Sequence, residues 1–232
     1  MENHKSTSKR WVSFLYYFLL CITIVFHPVF LPVYVVVWDF FSRPKVYPMV
    51  YNFFMPFDMK FKWVLLYSGF LAVLPVLMLV LARMLRLVHT ITLNSVRDRE
   101  NFFLIMGVYY WCVFYIFSDS DDDESFRPSI LLVGVMSVVA FLASLLSMPT
   151  FKVSIHTAGM GAICGLFVMF SVIFEGYFIP ELVTMLVLST VVMLSRILLN
   201  AHHYYELISG WVIGLLSSVG LFYAEYSGYF NL

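Results

Sequence analysis

The chain has 232 residues, 62% of them hydrophobic and 12% charged, with no net charge and a mean hydropathy of +0.89. A soluble domain of this length cannot hide so much apolar surface, so the composition selects a bilayer as the solvent. Electrical neutrality leaves no basic field to hold nucleic acid, which is set aside as a partner.

In chain order, Lys5, Lys9 and Arg10 precede an apolar stretch that runs to Trp38. It is too long for the h-region of a signal peptide, so a retained first span is expected over 11–38. His27-Pro28 and Pro32 fall inside it and predict a kink or two half-helices, because proline removes a backbone donor and clashes with the preceding turn. Further runs of spanning length or slightly less lie at 63–85, 102–117, 129–147, 158–174, 181–199 and 208–224. Pro75 raises the same question in the second run. The expected architecture is all-α: a polytopic transmembrane helical bundle of six to seven spans, a single integral membrane domain over 1–232 without repeat or linker.

Between the runs, 39–62 is rich in aromatic residues and proline, with Pro44, Pro48 and Pro56, and reads as an interfacial loop. Residues 118–128 form an acidic turn that lacks the spacing and glycine of a calcium loop. Cys21, Cys112 and Cys164 each sit in an apolar run, with no second ligand at metal spacing, so neither a disulfide framework nor a metal site is indicated. No segment calls for a cofactor.

With seven spans, the N-terminus and the segments 86–101, 148–157 and 200–207 share one membrane face. That face carries nine of the Lys and Arg residues against five, which makes it cytoplasmic. The count evens to five against five if Arg97, Arg99, Lys152 and Arg196 are kept for chemistry. The polar residues of this face cluster. Lys152, Ser154 and His156 lead into a span containing Gly159, Gly161 and Gly165. Ser195-Arg196 is followed by His202 and Glu206, and Arg97-Asp98-Arg99-Glu100 lies upstream.

Ionisable groups at a membrane edge are expensive, so each is a functional candidate. Arg and Lys at the mouth of an apolar bundle can hold a phosphate, with acyl or prenyl chains below it. One histidine can attack phosphorus and a second can protonate the leaving alkoxide. Glu206, four residues after His202, can fix the tautomer of that histidine if both lie on one helical face. His27, His89 and His203 read as interfacial or packing residues, and the three glycines as a close helix-packing face. Arg97, Arg99 and Lys152 read equally as anchors or as phosphate ligands.

Ser195-Arg196-x5-His202-x3-Glu206 resembles the third signature of the type 2 phosphatidic acid phosphatase (lipid phosphate phosphatase, vanadium haloperoxidase-like) superfamily, with Glu for the usual Asp. Ser154-Ile155-His156 is similar to a degenerate second signature, with Val153 for Pro and Ile155 for Gly. The first signature is missing: Arg127-Pro128 matches its tail, but Ser120 stands where Lys belongs, and Arg97 or Arg99 is the preferred stand-in. Together with His27-Pro28 and Pro32 the pattern looks like a divergent branch found in Bacteroidetes-type bacteria.

The resemblance implies a metal-independent lipid phosphate or prenyl diphosphate phosphohydrolase in a bacterial inner membrane. His202 would be the nucleophile, with Glu206 as its orienting partner, and His156 the general acid. Arg196, Lys152, Ser154, Ser195 and Arg97 or Arg99 would bind phosphate. A phosphotransferase on the same site, a non-catalytic lipid-phosphate binder and a transporter with a broken first span are the competing readings.

Overall fold

The computed structural model describes residues 2–42, 54–90, 93, 95–118, 127–149 and 151–227. Most of the expected interfacial loop (43–53, with Pro44 and Pro48) and most of the acidic turn (119–126) lie outside the described residues. So do the side chains of Lys5, Lys9, Arg10 and Arg127.

The named elements are all helices: α1 Glu2–Val25, α2 Leu31–Phe41, α3 Phe57–Met84, α4 Val96–Ser118, α5 Arg127–Leu145, α6 Ile155–Ile173, α7 Ile179–Leu198 and α8 Tyr204–Tyr226. Five of them, α3, α4, α6, α7 and α8, are long and apolar enough to cross a membrane, which makes the chain an integral membrane protein. Against the expected six to seven spans, the described residues hold five helices of spanning length. Two expected spans fall short for local reasons. In 11–38 the helix stops at Val25, a turn carries His27 and Pro28, and Pro32 opens α2 in the first turn, where a missing N–H costs nothing. In α5 the apolar stretch is Ser129–Leu145, among the shorter apolar helices.

Pro75 leaves its mark differently. Residues Gly69–Val73 of α3 widen into a π-turn just before it. The Phe70 carbonyl, five residues before a proline that has no N–H to offer, accepts the Tyr109 hydroxyl from α4 at 2.6 Å. A side chain thus replaces the lost backbone donor, and the helix continues.

α6 is the central helix. It is buried on nearly every side from Thr157 to Phe170, as expected of a helix that is apolar all round. Its glycines do what their spacing suggested. A Cβ on Gly161 would run into the Trp211 carbonyl of α8, and one on Gly165 would lie 2.6 Å from the Ser218 Cβ. From the other side, Gly210 and Gly214 press against the Ser154 and Ala158 carbonyls, so the α6–α8 seam is backbone against backbone. Gly159 packs instead on Pro28 and Leu31, docking the α1–α2 turn onto the start of α6. At the far end of α6, Trp38, Phe167, Phe170 and Phe178 pack ring against ring, with centroids 5.0–6.5 Å apart.

Candidate functional site

Three helix ends meet at the near end of α6, and hydrogen bonds tie them. The Lys152 N–H donates to Glu206 Oε1 at 2.9 Å and the Ser154 N–H to the Glu206 carbonyl at 3.3 Å. The Arg99 guanidinium donates to the Met148 carbonyl at 3.2 Å, and Ser144 Oγ to the Glu100 carbonyl at 2.9 Å. The segments 86–101, 148–157 and 195–206 therefore lie together.

The turn between α7 and α8 explains the Arg196-to-His202 spacing. Asn200 takes the left-handed conformation (φ 52°); the Ala201 N–H returns to the Arg196 carbonyl at 3.0 Å and the Asn200 N–H to the Ile197 carbonyl at 2.9 Å. This Schellman closure ends α7 one turn after Arg196 and reverses the chain, so His202 comes back beside the arginine. α8 then starts on a capping box with His203 as N-cap, and Glu206 Oε2 accepts the His203 N–H at 3.1 Å.

Glu206 Oε2 also lies 3.0 Å from His202 Nδ1. A carboxylate that already accepts two backbone N–H groups is an acceptor, so Nδ1 carries the ring proton and Nε2 keeps its lone pair. Burial pushes the His202 imidazole below its ordinary 6.5; the Glu206 hydrogen bond opposes this and the Arg196 charge adds to it. The ring is therefore neutral at neutral pH, with a defined tautomer. This is the state a nitrogen nucleophile requires.

A cavity of about 510 Å³ opens at this end. Its polar lining is His27, Arg99, Lys152, His156, Arg196 and His202. Much of the rest is apolar, including Leu79, Phe102, Met106, Met136 and Val139. From α4 the lining residues are Arg99, Phe102, Phe103, Met106 and Tyr110, a stripe at helical spacing with its charge at the outer end. Arg196 Nε is buried without a hydrogen-bond partner. Such a donor is costly to leave unpaired and fits an anion at this spot. A smaller polar recess of about 360 Å³ shares Lys152, Ala201 and His202 with the cavity and adds Asn200, His203 and Glu206.

The expected site residues divide. His202, His156, Arg196, Lys152 and Arg99 line the cavity, and Glu206 stands behind His202. Arg97 is exposed and does not line it, because two residues turn a helix by about 200°. Ser195 is buried with its hydroxyl donated to the Val192 carbonyl at 2.7 Å, so it is spent within its own helix. Ser154 is the buried N-cap of α6; its neighbours Val153 and Ile155 line the cavity and it does not. His27, read as a packing residue, faces the cavity, its ring 5.0 Å from that of His156. The nearest signal for it was the break predicted at His27-Pro28, since a broken span belongs beside a cavity or protein.

Among the described residues no three His, Cys, Asp or Glu side chains cluster as metal ligands. Compared with family models, curated proteins and solved structures, the chain matches none.

Proposed function

We propose that this is a membrane phosphohydrolase acting through a phosphohistidine, and more particularly a lipid phosphate or prenyl diphosphate phosphatase like the type 2 phosphatidic acid phosphatases. The observation that carries the reading is His202, whose Nδ1 is tied to Glu206 and whose ring faces, beside the unpaired Arg196 Nε, a cavity that is basic at one end and apolar at the other.

In this reading the phosphate sits among Arg196, Arg99 and Lys152, and the chain extends along the apolar stripe of α4. His202 Nε2 attacks phosphorus, the bond from phosphorus to the lipid oxygen breaks, and His156, held as the imidazolium by the negative charge of the bound phosphate, gives that oxygen its proton and becomes neutral. Water then adds to the phosphohistidine, passing a proton back to His156, and inorganic phosphate leaves. Glu206 stabilises the charge that His202 gains during attack. The fold in the bilayer is seven crossings, with α1–α2 as a broken first span and α5 as a further crossing, in a bacterial inner membrane. The spent hydroxyl of Ser195 favours one second reading, a lipid-phosphate binder without turnover.

The test is phosphate release by the purified protein in nanodiscs from phosphatidate, phosphatidylglycerophosphate, prenyl diphosphate and lipid A phosphates. Release from at least one, persisting in excess EDTA and inhibited by vanadate, is expected. Binding without release selects the second reading. Loss of release in EDTA with restoration by magnesium would overturn the phosphohistidine mechanism.

A further inference from the structure

The mechanism above gives His156 two proton transfers and gives His27 nothing, although His27 lines the same cavity. The two rings meet edge to face, with centroids 5.0 Å apart and planes at 85°. The turn that carries His27 is held on both sides. Its own Nδ1 accepts the Val29 N–H at 3.3 Å, which leaves Nε2 as the protonated nitrogen of the neutral ring. The next residue, Pro28, packs against Gly159, three residues after His156, at a place where a Cβ would meet the Leu31 side chain at 2.7 Å. The broken first span is thus keyed into the helix that bears His156, and an imidazole stands at the contact.

We propose that His27 is the positioning residue for His156: its ring fixes the His156 imidazole in the orientation that serves the leaving oxygen. This rests on the phosphohydrolase reading for its consequence in turnover, but not for the contact itself. The physical reason is that a general acid is effective only at hydrogen-bond reach of the atom it protonates. The His156 ring hydrogen-bonds to the Thr23 backbone, which anchors one edge of the imidazole but not the tilt of its plane. The edge-to-face His27 ring fixes that tilt, since aromatic pairs prefer offset or edge-to-face packing to a face-to-face sandwich. Misplacement by about 1 Å can cost about 10²-fold in rate without touching substrate affinity.

Two variants separate the ring from its other duties. His27→Phe keeps a ring against His156 and loses the acceptor for the Val29 N–H. His27→Asn keeps an acceptor near the Nδ1 position and loses the ring. For the lipid phosphate that wild type releases fastest, His27→Asn is expected to lower kcat by about 10–100-fold with KM within about twofold, and His27→Phe to retain kcat within about fivefold. A second readout is independent of turnover. In protein with labelled histidines, the His156 ring resonances should move and broaden in His27→Asn, where the neighbouring ring current is lost, and stay sharp in His27→Phe. Equal losses of kcat in the two variants, or an unmoved His156 signal in His27→Asn, would overturn the assignment. If no lipid phosphate is released by wild type while the His156 signal still responds to Asn alone, the phosphohydrolase reading fails and the positioning contact stands.

Discussion

Two buried carboxylates at the same end of the bundle, each at the start of a helix, each hold a histidine by Nδ1. Asp98 in the first turn of α4 accepts the His89 and Thr90 N–H groups at 2.9 and 3.0 Å, the Thr90 hydroxyl at 2.9 Å, and His89 Nδ1 at 3.1 Å. Glu206 in the first turn of α8 accepts the Lys152 and His203 N–H groups and His202 Nδ1. The local chemistry is nearly the same, and the surroundings are not. The His89 side chain is 69% exposed and does not line the cavity, whereas the His202 side chain is 13% exposed and lines the cavity with Arg196. One pair ties down the chain between α3 and α4; the other sets a tautomer where the free nitrogen has something to meet. A His–carboxylate pair becomes a functional element through what its second nitrogen faces, not through the pair itself.

The contrast breaks most sharply at the histidines. His202→Ala is expected to reduce turnover by at least about 10³-fold, since a nucleophile has no substitute, while His89→Ala should stay within about twofold of wild type. Kinetics on both variants at one lipid phosphate decide this, and comparable losses would erase the distinction.

Next in size are the carboxylates. Glu206→Gln should lower kcat by about 10²–10³-fold and leave a measurable residue, because the orienting group contributes alignment and charge. Asp98→Asn should instead lower the melting temperature and spare kcat in the folded protein. The pH profile sharpens the point. The His202 imidazole sits below 6.5 through burial and Arg196, so the neutral nucleophile survives there and the acid limb of kcat/KM falls below 6.5. Glu206 opposes that lowering, so its removal moves the limb to still lower pH. A limb above 6.5 in wild type would contradict the assignment of the titrating group.

The smallest effect concerns the turn that returns His202 to Arg196. Asn200→Gly should change stability by less than about 0.5 kcal/mol, whereas a β-branched Asn200→Val should cost about 1–2 kcal/mol through its left-handed backbone and lower kcat with it. Thermal melts and kinetics on the pair check both halves.

The helices were readable because lipid forces backbone bonding to be internal, so apolar run length reports them directly. The break at His27-Pro28 followed from proline chemistry. The π-turn before Pro75 did not, because it depends on Tyr109 arriving from another helix. At the site, Glu206 and His202 were legible from i, i+4 spacing, a local relation. The choice between Arg97 and Arg99 rested on helical phase, and the apolar stripe Phe102, Phe103, Met106, Tyr110 already pointed to Arg99. The placements of Ser195 and His27 were not legible for opposite reasons: a helix claims the Ser195 hydroxyl locally, and a distant turn carries the His27 imidazole to the cavity, where it packs on His156.

The most direct test of the account is to trap the intermediate. The protein is mixed with a radiolabelled lipid phosphate chosen from the release assay, quenched in base, where a phosphorus–nitrogen bond survives, and digested for mass spectrometry. The account predicts one labelled peptide, phosphorylated on His202 and absent in His202→Ala. Label on another residue, or label that persists in His202→Ala, would contradict it.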